Sequence, residues 1–390
     1  MTSVLIAFSD TGGGHRSAAQ AIRDALLAQV AGVRVELVDP FASCTRWPFR
    51  TLSESYPRLA EQASWLWHAG FRITNSPRST SFAQRLAWSS LRPTFEQVAA
   101  SHAPDVILCT HPLLAAPLRR VFRDVPIIVV VTDLISGHVS WYDRAADLFV
   151  VPTRGARDRA VQAGVAPEAI QVLGVPVAEA YTAVPGERAQ LQTRLGWTTE
   201  RPTILLAGGG AGIGALHQTA VAIDEAALPC DLAVVAGHNA SLASRLRQRR
   251  WKGAVHVYDF VPNFAELLRA SAALVTKAGP GTIAEACASG CPLILSSAIP
   301  GQETGNIDFV TSGRAGVWAP SPLATTAALH AWLVGRDAPA ALRRASSAAR
   351  KLARPEAAHD IARLTLHVAD AAVTGEHFLA AASAARHAAA

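Results

Sequence analysis

The sequence predicts an α/β protein made of two Rossmann-like domains, each with a parallel sheet. Two observations carry this reading. Short apolar runs recur along the chain, and most are followed by a turn and a stretch of helical period. A glycine loop also opens each half: Gly12-Gly13-Gly14 behind the first apolar run, and GGGAGIG (Gly208 to Gly214) behind the run at Thr203 to Ala207. A length of 390 residues suits two domains, each with its own core.

In chain order, Ser3 to Ser9 reads as a buried strand, followed by Asp10, the three glycines and a helix from about His15 to Val30. Val33 to Val38 is the next strand. The strand, glycine turn, helix, strand order is Rossmann-like, although it lacks the GxGxxG spacing. The triple glycine is either a tight strand-to-helix turn or a place where a ligand lies against bare backbone. Further strands are expected at Asp105 to Thr110, Pro126 to Thr132, Asp147 to Val151 and Gln171 to Leu173. Three of them end in polar groups, Thr110-His111, Thr132-Asp133 and Pro152-Thr153, as the edge of a cleft would.

Residues 41 to 92 differ in composition. Seven arginines face only Glu54 and Glu61, with Trp47, Trp65, Trp67 and Trp88 among them. Tryptophan and arginine together suit the headgroup layer of a membrane. The alternative is a pair of ordinary helices with solvated arginines.

Ala183 to Pro202 reads as an interdomain connection. The second half continues with strands at Asp231 to Ala236 and His256 to Phe260, then Ser271 to Thr276, which leads into KAGPGTIAEA (Lys277 to Ala286). Gly279-Pro280-Gly281 is a turn, and a helix is expected behind it with Thr282 as N-cap. Strand, glycine turn and helix N-terminus make an anion site, and a diphosphate is the obvious anion. Glu285 lies three residues beyond Thr282, so it either closes a capping box or accepts hydrogen bonds from two vicinal hydroxyls, as on a ribose. After the strand Pro292 to Ser296, the loop PGQETGN carries Gln302, Glu303 and Asn306, a set suited to a polyhydroxyl ligand such as a sugar. Beyond Ala319 the chain reads as Ala- and Arg-rich helix with a frayed end.

KAGPGTIAEA followed by PGQETGN resembles the donor site of the monogalactosyldiacylglycerol synthase and processive diacylglycerol glucosyltransferase family. The resemblance extends to SDTGGGHRSAAQAI (Ser9 to Ile22), to VTDLISGHVSWYD (Val131 to Asp143), and to GVPV (Gly174 to Val177), which resembles the family's crossover. It implies the GT-B fold, with the two sheets facing a central cleft, and an inverting transfer of galactose or glucose from UDP-galactose or UDP-glucose to diacylglycerol. It also implies an N-terminal domain that takes the lipid from a membrane. Gly209, Gly210 and Gly212 would belong to the second glycine loop, and Phe260-Val261 would wall the uracil. Gly279, Pro280, Gly281 and Thr282 would lie at the diphosphate, Glu285 at the ribose, Gln302 and Glu303 at the hexose, and Asn306 at either. Where plant-type members carry an acidic residue, this chain has Ala211; it has Ala236 and His238 where they show cysteine and arginine.

An inverting transfer needs a general base for the acceptor hydroxyl. His15 is the leading candidate, because a helix N-terminus lowers its pKa and keeps the imidazole neutral, and because the family motif GGGH places a histidine here. Asp133 follows, with Asp10 as a partner that could orient His15. Gly13, Gly14, His111, His138, Trp65, Trp67 and Trp88 are expected on the acceptor or membrane side. No metal or other cofactor is expected, since helix N-termini and backbone N–H groups can meet the diphosphate.

The boundaries read as 1–176 for the acceptor domain, 177–200 for the connection, 201–354 for the UDP-sugar domain and 355–390 for a C-terminal helical segment. A net charge of +6 favours phosphate-bearing partners such as a nucleotide or an anionic lipid surface; no nucleic-acid motif accompanies it. The longest apolar run, Val125 to Val131, is too short to span a bilayer, and the N-terminus shows no signal peptide. Five cysteines without a CxxC pair fit a reduced compartment. Together these give a cytoplasmic protein held peripherally on the inner face of the plasma membrane. The alternatives are another acceptor, such as a lipid-linked peptidoglycan precursor, a UDP-N-acetylglucosamine 2-epimerase, and a non-catalytic sugar-nucleotide sensor.

Overall fold

The computed structural model describes residues 1–10, 13–44, 49, 64–183, 186–210, 212 and 214–374, with the side chains of 64–68 outside that description. The chain divides into two compact units, one of Met1–Ala178 with Arg354–Ala390 and one of Glu179–Ala353. Each unit holds one six-stranded sheet, and every recorded strand pair is parallel.

In the first unit the strands are β1 (Ser3–Ala7), β2 (Arg34–Val38), β3 (Val106–Cys109), β4 (Ile127–Val130), β5 (Leu148–Val151) and β6 (Ile170–Val172), in the order β2-β1-β3-β4-β5-β6. β3, β4 and β5 are buried along their whole length, which is why they read as continuous apolar runs. Side chains that alternate along each strand feed two cores. Leu5, Ile107 and Val129 enter one with Phe95; Ile6, Leu108 and Ile128 enter the other with Ile22. The C-terminal helix Ala357–Thr374 completes the second core through Ile361, Leu364 and Val368, beside the helix Gly14–Gln29. Residues 375–390, including the last seven where fraying was expected, lie outside the described residues.

The second unit contains β7 (Thr203–Ala207), β8 (Asp231–Val235), β9 (Val255–Tyr258), β10 (Ala273–Lys277), β11 (Leu293–Ser297) and β12 (Gly316–Trp318), in the order β12-β11-β10-β7-β8-β9. β12 was not expected. It is a three-residue edge strand with one buried residue, too short to show a period.

In both sheets the order reverses once, between β1 and β3 in the first and between β7 and β10 in the second. At such a point the connections leave in opposite directions and open a crevice outside the carboxyl ends of the strands. The glycine loop of each unit follows β1 or β7, and so lies at a reversal point.

Candidate active site

In the first unit, β1 runs out to Asp10, and the helix Gly14–Gln29 begins behind Gly13. Gly13 is the N-cap at φ +79°, a left-handed conformation in which glycine carries no Cβ penalty. Among the described residues a Cβ built on Gly13 or Gly14 meets nothing within 4 Å, which leaves room there for a ligand. His15 follows in the first turn. Its carbonyl accepts from Thr110 Oγ1 at 3.0 Å, its Nδ1 lies 3.2 Å from Thr132 Oγ1, and the ring of His111 stands edge-on at 4.8 Å. Crowding of the ring by these groups and by Trp141 lowers the His15 pKa to about 4; a hydrogen bond to the Thr110 backbone opposes the shift. Burial, with His15 nearby, holds His111 well below the usual histidine range as well. Both rings are neutral at physiological pH, as a proton acceptor must be.

Other expected partners are placed differently. The Asp10 carboxylate accepts from Arg16 at 3.0 and 2.8 Å, so it serves Arg16 and does not orient His15. A charge-assisted pair with a guanidinium is the stronger option for an exposed carboxylate. Asp133 is buried and accepts from Trp141 Nε1 at 2.7 Å, which ties it to the core. His138 caps the short 3₁₀ segment Val139–Tyr142 through Nδ1, with Nε2 3.1 Å from Thr74 Oγ1. Trp88 is half-buried against the core with the Arg120 guanidinium 4.7 Å from its ring. Trp65 and Trp67 lie in the helix Ser64–Thr74, and their side chains are outside the described residues. Among the described residues, the large apolar side chains that face solvent here are Ile73, Phe82 and Leu86.

In the second unit, the loop after β7 holds Gly209, Gly212 and Gly214 at φ +71°, +62° and +101°. These glycines do different things. A Cβ on Gly212 would stand 2.1 Å from the Ala236 carbonyl oxygen, and one on Gly237 would stand 2.3 Å from the Gly210 carbonyl oxygen. The loop is therefore clamped by backbone to the turn after β8, and the His238 N–H completes the clamp by donating to the Gly210 carbonyl at 2.9 Å. Gly210 itself has nothing within 4 Å of a Cβ among the described residues. Ala211 lies outside the described residues. Phe260, 56% exposed, stacks on the exposed His238 ring at 4.5 Å and 9°, next to Val261.

Across the reversal point, β10 ends in Lys277, and the helix Pro280–Ser289 begins three residues earlier than a Thr282 cap requires. Gly279 is the N-cap and Pro280 occupies N1, where its fixed φ is already helical. Thr282 thus falls inside the first turn and the capping box does not form. Glu285 instead accepts from the Tyr181 hydroxyl, and burial pushes its carboxyl up to about 7 although that bond pulls the other way. Gly281, like Gly210, has nothing within 4 Å of a Cβ.

The second loop departs most from expectation. Glu303 is buried; its carboxylate accepts from the Lys277 ammonium and from the Ile299 N–H at 2.9 Å. Asn306, also buried, donates through Nδ2 to the Ala278 carbonyl at 2.8 Å, while its Oδ1 has no partner among the described residues. Gln302 is half-buried in the same turn. The sequence reading passed over Lys277. Its signal was present: it is one of three lysines in the chain and directly precedes the anion-type turn.

Two parallel α/β units, each with an open glycine turn at its reversal point, are the frame of a GT-B glycosyltransferase. Residues 15–177 match the family described as monogalactosyldiacylglycerol (MGDG) synthase, and residues 203–304 match the glycosyltransferase family 28 C-terminal domain. Monogalactosyldiacylglycerol synthase 3, chloroplastic, of Arabidopsis thaliana is 33% identical over 382 residues, covering 94% of this chain and 81% of that protein. The chain belongs to the monogalactosyldiacylglycerol synthase family, and is a glycosyltransferase of glycolipid biosynthesis.

Among solved structures, a putative UDP-N-acetylglucosamine 2-epimerase from Listeria monocytogenes superposes with a TM-score of 0.65 at 14% identity, covering 96% of this chain and 97% of that one. Anabaena Alr3699/HepE in complex with UDP-glucose superposes at 0.58 and 16% identity, covering 94% and 99%. At these identities the likeness is one of fold. The epimerase shares that fold, so the family match, and not the architecture, argues against the epimerase alternative.

Proposed function

We propose that this protein transfers a hexose from a UDP-sugar to diacylglycerol with inversion, forming a β-glycoside. The names of its relatives favour galactose as the sugar. The observation that carries the donor side is the pairing, at one reversal point, of the open backbone at Gly209-Gly210 with the open helix N-terminus at Gly279-Pro280-Gly281. Unpaired N–H groups and the helix dipole there would meet a diphosphate without a metal. In this reading Phe260 and Val261 wall the uracil, Glu285 takes the ribose hydroxyls, and Thr282 and Gln302 line the diphosphate and hexose.

On the acceptor side, neutral His15 takes the proton of the diacylglycerol hydroxyl as that oxygen bonds to C1 of the sugar. The bond from C1 to the diphosphate oxygen breaks, and UDP leaves. Glycines 13 and 14 leave room for the lipid headgroup beside the ring. Membrane contact falls to the exposed Ile73, Phe82 and Leu86 with Arg72, Arg78 and Arg85, a combination of apolar and cationic side chains suited to an anionic lipid face. Among the described residues no helix is long and apolar enough to cross a membrane, which fits peripheral attachment. The expected inner face of the plasma membrane belongs to this proposal; the plant relative is named chloroplastic.

The test is thin-layer chromatography of lipids from liposomes of diacylglycerol and an anionic lipid. Radiolabelled UDP-galactose and UDP-glucose are supplied separately, each with and without EDTA. A labelled glycolipid that persists in EDTA, and falls by about 10²–10⁴ in rate for His15→Ala, is expected. A folded protein that binds UDP but labels no lipid from either donor sinks the diacylglycerol reading.

A further inference from the structure

Lys277 and Glu303 form a charged pair at the place where a diphosphate and a hexose would meet. The Lys277 side chain is 21% exposed and that of Glu303 3%. The lysine stem runs between the two glycine elements of the site: its Cε lies 3.9 Å from a Cβ built on Gly209, and its Nζ 2.8 Å from one built on Gly279. A side chain at 279 would strike the ammonium, so the glycine there makes room for the lysine. The register of β10 against β11 shifts between Thr276 and Lys277, which sets the lysine off from the regular strand. On the other side, the Glu303 carboxylate is held in place by the Ile299 N–H at 2.9 Å. The cation thus has the open face and the carboxylate the closed one.

We propose that this pair is exchanged when the donor binds: Lys277 turns from Glu303 to the diphosphate, and Glu303, still held by Ile299, presents its released oxygen to the hexose hydroxyls. The inference rests on the UDP-sugar reading of this site and extends it. In the ligand-free protein each charge satisfies the other, so neither is buried unpaired. The diphosphate offers the ammonium a second anionic partner, and the sugar hydroxyls offer the carboxylate donors in return. A diphosphate alone breaks the pair without replacing the carboxylate's partner. A nucleotide sugar replaces both. The pair therefore favours UDP-sugar over UDP, and product UDP is displaced by the return of Glu303 to Lys277.

A binding cycle tests this, with UDP affinity measured by titration calorimetry for the wild type, Glu303→Gln, Lys277→Met and the double variant, and thermal melts confirming folding. If Lys277 must leave Glu303 to bind UDP, Glu303→Gln tightens UDP about tenfold in the wild-type background and less than about twofold beside Lys277→Met. Equal tightening in both backgrounds makes Glu303 a distant negative charge and overturns the exchange. No tightening in the wild-type background overturns it as well. If Lys277→Met does not fold, Lys277→Leu, which likewise cannot donate to Glu303, takes its place in the cycle with the same expected outcomes. A folded wild-type protein that binds no UDP overturns the UDP-sugar reading and this proposal together, whereas UDP binding without coupling overturns the exchange alone.

Discussion

Glu285 gives the site a pH dependence that His15 does not share. A carboxyl raised to about 7 is largely protonated at pH 5.5, and only the carboxylate accepts from both ribose hydroxyls. The KM for UDP-hexose should therefore rise about tenfold between pH 8 and pH 5.5, and Glu285→Gln should flatten the profile at the higher value. His15, lowered to about 4, stays neutral throughout, so kcat should hardly change over the same range. A KM independent of pH in the wild type would remove Glu285 from donor binding. The two residues also differ in how far spacing could place them. GGGH put His15 in the first turn of a helix, and it is there. Spacing left Glu285 either a capping-box partner of Thr282 or a carboxylate for vicinal hydroxyls, and the first is ruled out because Pro280 sets the helix start and Tyr181 bonds the carboxyl. The departures at Ala236 and His238 touch the glycine loop through backbone atoms, so the clamp tolerates a change of side chain at either position.

The helix Pro77–Ser101 has two faces with different tasks. Leu91, Phe95 and Val98 enter the core, whereas Phe82 and Leu86, one turn apart, are 64% and 65% exposed beside Arg78 and Arg85. If that outer face meets the membrane, Phe82→Ser with Leu86→Ser should weaken sedimentation with anionic liposomes at least tenfold, while the melting temperature stays unchanged because neither side chain is in the core. Unaltered sedimentation would move the membrane contact elsewhere. Composition marked residues 41–92 as unusual, but a tryptophan count does not say which face a ring is on. Trp88 packs inward, under Arg120. The buried strands were the easiest elements to locate, because a strand enclosed on both faces is apolar throughout and needs no period. β12, with one buried residue, left no such trace.

At the scale of the molecule, neutral histidines that are buried or half-buried link stability to pH. His15 and His138, each lowered to about 4, and His111, lower than its usual range, bind protons near pH 6.5 only when the chain unfolds. Between pH 6.5 and 4.5 the unfolded state therefore holds more protons at these three sites, and stability falls as pH falls. Glu285 acts in the opposite sense, because its raised carboxyl binds a proton in the folded state first. Three groups outweigh one, so the melting temperature should drop steadily from pH 6.5 to 4.5. A flat or rising curve would mean that the rings are solvated.

The sequence by itself determined two Rossmann-like halves, all but one of the strands that build them, the family, and where the glycine turns and the first-turn His15 fall. These follow from local rules: apolar runs, turn glycines and short motifs each act over a few residues. The tertiary structure decided which of those residues meet. Sheet order places both glycine elements of the second unit at one reversal point and brings Lys277, at the end of β10, to Glu303, 26 residues further along the chain. It also gave the Asp10 carboxylate to Arg16, the Asp133 carboxylate to Trp141, and the Thr110 and Thr132 hydroxyls to His15. A side chain's partner depends on which strands lie side by side and which faces they turn to the core, and neither is set by the residues adjacent to it in sequence.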